Sequence, residues 1–168
     1  MIKSITVVIP ARGGSKRVVG KNLRPLAGIP LVVRAVNIAL KAGFKSTVIV
    51  STESLEISQI AEAAGARVII RPAELASDNA STESVLLQVL DVLRMEGNEP
   101  EWVMTLPPTS PFRKVSTIKT FVAEAKNRMD DHDCLMSVTE DRGDYWRMTN
   151  TNGAISRLFA DASRRQQE

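Results

Sequence analysis

Short apolar, β-branched runs alternate along this chain with longer segments whose apolar residues recur every third or fourth position. The short runs predict strands at Ile5–Ile9, Val48–Val50, Val68–Ile70, Trp102–Leu106 and Cys134–Val138, since a strand buried on both faces reads as a continuous apolar run. The longer segments predict helices. One carries Leu31, Val32, Ala35, Val36, Ala39 and Leu40 and stops at Gly43; a second carries Ile57, Ile60, Ala61 and Ala64 and stops at Gly65. A hydroxyl of Ser51-Thr52-Glu53-Ser54 caps the second. A third, capped by Thr82 or Ser81, presents Val85, Leu86, Val89, Leu90 and Leu93, and a fourth presents Val115, Ile118, Phe121, Val122 and Ala125.

Five such strand–helix units predict an α/β fold: a mostly parallel, doubly wound sheet with helices on both faces. The end of the chain breaks the pattern. Asp144–Asn150 and Ala154–Phe159 flank Thr151-Asn152-Gly153, and Asn-Gly between two short apolar runs is a hairpin signal. The expected organisation is a 1–140 α/β domain followed by a hairpin-like extension over 141–168. The polar segments 10–22, 51–54, 71–82 and 107–113 all follow predicted strands. In sheets of this kind that is the end where ligands bind.

Charge sharpens the choice among these segments. The chain has 22 Lys and Arg against 19 Asp and Glu, a net charge of only +3, but the distribution is uneven. From Met1 to Thr52 there are nine cations and no acid; Glu53 is the first. A basic first third on a net-acidic remainder points to one anionic ligand site. Nucleic acid is not the expected partner, because Phe44 is the only aromatic residue in the basic third, leaving no stacking platform. No apolar run approaches the ~20 residues that span a bilayer, and Met1–Pro10 reads as a strand rather than a signal peptide. The single cysteine, Cys134, excludes an internal disulfide, fits a reducing cytoplasmic setting and is expected to pack in the core.

The charge centres on Pro10–Asn22, P-A-R-G-G-S-K-R-V-V-G-K-N, with three glycines and the cations Arg12, Lys16, Arg17 and Lys21. A strand running into a glycine-rich cationic loop is a common way to hold a phosphate chain: amides approach the oxygens, and Lys and Arg supply counter-charge. It is neither of two familiar loops. A P-loop would need glycine at Ser15 and a hydroxyl at Asn22, and the glycines at 13, 14 and 20 do not make G-x-G-x-x-G. The bland alternative is a glycine turn with solvated cations.

The wording I-P-A-R-G-G-S-K-R-x-x-G-K-N resembles the signature of the CMP-sialic acid synthetases, cytidylyltransferases that act on nonulosonic acids including legionaminic and pseudaminic acid. The resemblance implies a Rossmann-like nucleotidyltransferase fold, CTP and a nonulosonic acid as substrates, Mg²⁺ as cofactor and a homodimer. It implies that Arg12 and Lys21 act on the triphosphate, with Ala11, Gly13, Gly14 and Ser15 of the same loop around the nucleotide. Lys16 and Arg17 assist or are solvated. Asn22 offers donor and acceptor to a base or ribose edge. The segment Arg71-Pro72-x-Glu74-Leu75-Ala76-x-Asp78-x-Ala80-Ser81-Thr82 resembles a second family element, which implies that Arg71, Ala80 and Thr82 surround cytosine. Thr82 is otherwise a helix cap and Arg71 a strand-end ion pair.

Pro108-Thr109-Ser110-Pro111 with Arg113 resembles the family's P-T-S-P-L-R, and Arg164-Arg165-Gln166 its R-R-Q element. These imply sugar-binding roles for Thr109, Ser110 and Arg165, an arginine being a natural partner for a carboxylate; residues 164–166 are otherwise a basic tail. Where the family has a glutamine facing the sugar, this chain has Pro107, which carries no side-chain amide. No metal ligands are identifiable. Asp130, Asp131 and Asp133, with His132, precede a predicted strand and read as a solvated turn at the opposite end of the sheet. The resemblance covers nearly all of this chain but only roughly the first three-quarters of a family member. The alternative to a CMP-transferring enzyme is therefore a catalytically inactive or truncated CTP-binding protein of the same fold.

Overall fold

The computed structural model describes residues 4–77, 79–138, 146–148 and 155–157. The chain divides into two units, Met1–Asp133 and Cys134–Glu168.

The first unit is built on strand β1 (Ile5–Pro10). The chain then makes a small hairpin, β2 (Pro25–Leu26) and β3 (Ile29–Pro30), before helix α1 (Leu31–Ala42). Strand β4 (Val48–Thr52), helix α2 (Leu55–Ala63) and strand β5 (Arg67–Ile70) follow. A 3-10 turn at Ala73–Ala76 leads to helix α3 (Thr82–Met95), strand β6 (Trp102–Thr105) and helix α4 (Val115–Arg128). The four long strands form one all-parallel sheet in the order β5-β4-β1-β6.

That order explains the two-sided apolar pattern of β1. Val7 and Ile9 point to one face with Val48, Val50 and Met104, where they pack against Val32 and Val36 of α1, Ile57 of α2 and Ile118 of α4. Val8 points to the other face with Ile49 and Ile69, against Val89 and Leu93 of α3. Helix α3 takes that face because the β5-to-β6 connection crosses from one sheet edge to the other. Fully burying side chains of this size stabilises the fold by roughly 1.5–3 kcal/mol each before entropy is counted. Helix α1 stops at Gly43 as its pattern predicts, and Ser54 caps α2, its Oγ accepting from the Ile57 amide at 3.3 Å.

Three features depart from the sequence reading. The Pro25–Pro30 hairpin has two-residue strands, too short for a periodicity, and turns at Ala27 and Gly28 with φ of 49° and 76°. Those signs match the turn type that joins twisted strands. Next, Cys134–Val138 forms no strand, so among the described residues the parallel sheet has four strands, with β6 at its edge. Without a ladder the run has nothing to bury against, and Cys134 is exposed rather than packed. The division between units falls before this run, at 133/134.

In the second unit, β7 (Trp146–Met148) and β8 (Ile155–Arg157) pair antiparallel, with Trp146 opposite Arg157, so the hairpin reading holds for the strands. The Asn152-Gly153 turn lies outside the described residues, as does Arg165. Among the described residues no helix is long and apolar enough to cross a membrane.

Candidate functional site

The neighbours β1 and β6 are where the winding of the sheet reverses. Open parallel sheets bind their ligands outside the strand ends at that point. A cleft of about 310 Å³ opens there. Arg12, Ser15, Lys21 and Asn22 form its first wall, Arg71, Leu75, Ser77 and Ala80–Thr82 its second, and Pro107–Thr109 its third.

The first wall is shaped by its own polar groups. Asn22 is buried; its side-chain amide donates to the Arg12 carbonyl at 2.8 Å, and its carbonyl accepts from the Val32 amide at 3.0 Å. Asn22 thus folds the loop back onto the start of α1. The Arg12 guanidinium reaches across to the Ser77 carbonyl at 3.2 Å and so joins the first two walls. Lys21 is half-buried on the cleft side, whereas Lys16 and Arg17 are exposed.

The second wall starts from Arg71, whose exposure is only 5%. Its guanidinium donates to the Ser51 carbonyl and, at 3.5 Å, to the Leu75 carbonyl, while its buried Nε finds no acceptor. Burial lowers the Arg71 pKa; the charge of Glu53 opposes that fall and the charge of Arg12 adds to it. Arg71 is therefore no strand-end ion pair in solvent. It is a buried cation tied to backbone carbonyls. Ser81, not Thr82, caps α3, its Oγ accepting from the Ser84 amide at 3.0 Å. Thr82, the first helical residue, is left facing the cleft. The third wall is braced from behind by Arg113, which donates to the Pro107 carbonyl at 2.8 Å and whose pKa burial lowers.

Of the residues singled out in the sequence, Arg12, Ser15, Lys21, Asn22, Arg71, Ala80, Thr82 and Thr109 line this one cleft. Ala11 lies beneath it, fully buried, with its amide on the Ser51 carbonyl at 3.0 Å. Gly13 and Gly14 are not among the lining residues. The Gly13 amide, expected to face a phosphate, donates instead to Glu53 Oε1 at 2.6 Å, and the Ser15 amide donates to the Gly13 carbonyl at 2.9 Å. The first wall therefore presents side chains more than amides. Ser110 is exposed and outside the cleft lining.

Sequence reasoning passed over Glu53, Ser77 and Val85. Glu53 had one signal, as the acid that ends a long cationic stretch. Val85 matched its helix face and serves core and cleft at once. Among the described residues no three His, Cys, Asp or Glu side chains group as a cation's ligands would, and Glu53 is committed to Gly13. The ligands of the magnesium that the resemblance implies are therefore not identifiable among the described residues.

A parallel sheet with a cationic cleft at its switch point defines the class as an α/β protein built to take an anionic ligand. A family model described as Cytidylyltransferase matches residues 6–160, and the chain belongs to that family. It is 40% identical over 116 residues to a CMP-N,N'-diacetyllegionaminic acid synthase of Legionella pneumophila, covering 68% of this chain and 50% of that protein. It is 35% identical over 139 residues to an N-acylneuraminate cytidylyltransferase of Escherichia coli, covering 83% and 32%. Among solved structures, a CMP-2-keto-3-deoxy-manno-octonic acid synthetase complexed with CTP superposes with a TM-score of 0.61 at 26% identity, covering 76% of this chain and 48% of that one. The matched segments thus span half or less of the length of these relatives.

Proposed function

We propose that this chain is the nucleotide-binding portion of an enzyme that transfers CMP from CTP to a nonulosonic acid and releases pyrophosphate. One observation carries the reading: Arg12 and Lys21 of the first loop share a cleft with Arg71, Ala80 and Thr82, at the strand tips of a cytidylyltransferase-family sheet. The printed activities of the relatives, a CMP-legionaminic acid synthase and an N-acylneuraminate cytidylyltransferase, support it. In this reading the anomeric oxygen of the sugar attacks the α-phosphorus in line and the bond to the bridging oxygen of pyrophosphate breaks. Arg12 and Lys21 stabilise the charge that moves onto the leaving group, the kind of electrostatic help that dominates such transfers. Arg71, Ala80 and Thr82 hold the cytosine, with Asn22 and Ser15 beside the nucleotide. Thr109, Ser110 and Arg165 meet the sugar acid. The magnesium requirement, the homodimer and the cytoplasmic setting belong to the same proposal.

Pyrophosphate release with CTP and Mg²⁺, across sialic, legionaminic, pseudaminic and KDO acids, tests it. Release with one or more of these acids, abolished by chelation, is the expected result. A second reading, CTP binding without transfer, is favoured by Pro107, which puts a ring on the third wall where a side-chain amide would contact a sugar. Calorimetric binding of CTP with no pyrophosphate from any acid would establish that reading. No binding of CTP would overturn both.

A further inference from the structure

Three of the four buried polar atoms lacking partners among the described residues are Ser51 Oγ, Glu53 Oε2 and Arg71 Nε. The same three residues take part in hydrogen bonds that join the walls. The Ser51 carbonyl accepts from both the Ala11 amide and the Arg71 guanidinium. One residue pair further on, Glu53 Oε1 accepts from the Gly13 amide at 2.6 Å. The approach there is close. A Cβ on Gly13 would stand 3.1 Å from Ser54 Cβ and 3.4 Å from Glu53 Oε1, so the loop is pressed onto the β4–α2 turn. That turn is firm, because Thr52 Oγ1 accepts from the Ser54 amide at 3.1 Å and Ser54 caps α2. Glu53 itself is not among the cleft-lining residues.

We propose that Glu53 is a positioning residue for the nucleotide loop: one carboxylate oxygen straps Gly13 to the end of β4, and its charge stands behind the cationic wall rather than in the cleft. The two duties pull nucleotide binding in opposite directions. The strap preorganises Arg12 and Lys21, which favours an anionic ligand. The charge is an anion placed behind a cationic cleft, which opposes one. The strap is also the reason the Gly13 amide is unavailable to a phosphate. This inference rests on the proposed binding of CTP, but the strap has its own readout.

Two substitutions in the full chain separate the duties. Glu53→Asp keeps the charge but is one methylene too short to hold the Gly13 amide. Glu53→Gln keeps the length and an acceptor oxygen but removes the charge. Gly13 amide hydrogen exchange, thermal melting and CTP calorimetry are measured on both. In Glu53→Asp, Gly13 exchange is expected to accelerate on the order of tenfold and CTP to bind on the order of tenfold more weakly, the size of one lost charge-assisted hydrogen bond. In Glu53→Gln, the melting temperature should fall while CTP binds as tightly as to the wild type or more tightly. A residue with a merely structural role would lower stability and affinity together in both variants, and that result overturns the proposal. Unchanged Gly13 exchange in Glu53→Asp also overturns it. Failure of the wild type to bind CTP would defeat the functional reading, with the exchange result still deciding the strap.

Discussion

Arg12 and Arg71 carry the same guanidinium on opposite walls of one cleft, and the fold puts them to different use. Arg12 sits on the half-buried first loop and extends across the opening to the Ser77 carbonyl. Arg71 is buried at the end of β5, bonded to carbonyls of its own scaffold, with its pKa lowered first of all by loss of water. A cation that keeps access to solvent retains charge to offer a ligand. One that is desolvated must first be satisfied by the protein, since a buried charge without partners is costly. The first loop thus supplies mainly electrostatics, and the second wall mainly shape and a fixed polar edge.

Substitutions can break this contrast. The largest effect belongs to the first loop: Lys21→Ala or Arg12→Ala should reduce kcat/KM for CTP by roughly 10²–10³-fold, the scale seen when one preorganised charge-stabilising donor is removed. Neither should lower stability by more than about 1 kcal/mol, so steady-state kinetics and urea unfolding together read the result. Large unfolding would place these cations with the scaffold. Arg71→Ala should differ by also unfolding the protein more readily, losing about 3 kcal/mol of stability through the abandoned carbonyls. Urea denaturation at unchanged m-value is the measurement, and a neutral outcome would mean that Arg71 is as dispensable to folding as Arg12. The smallest effect sharpens the picture of the second wall. Ser81→Ala should cost about 1 kcal/mol by removing the α3 cap. If Thr82 faces the ligand while Ser81 holds the helix, CTP affinity should stay within a few-fold of wild type.

Much of this arrangement could be read before any coordinates. The alternation of β-branched runs with helical stripes marked all four strands of the parallel sheet and all four helices of the first unit. It worked because each element buries a mainly apolar face. The reading failed where the pattern was short or lacked a partner. The Pro25–Pro30 hairpin offers two residues per strand, and Cys134–Val138 is apolar enough for a strand but forms no ladder. At the site, the cations and the 71–82 segment were legible from composition and motif, and eight of those residues do meet. The bond from the Gly13 amide to Glu53 was not legible, because its acceptor is 40 residues away.

Periodicity and charge along the chain were enough to establish the α/β class, the end of the sheet that carries function and the cationic loop, because these depend on neighbours within a turn or a pleat. The duties of individual polar groups depended on folding. Glu53 reaches Gly13, Arg12 reaches across 65 positions to Ser77, and Arg71 is stripped of water only when β5 docks beside β4 and their loops close over it. Hydrogen bonds and desolvation act over a few ångströms of space, and distance along the sequence does not report which groups come within that range.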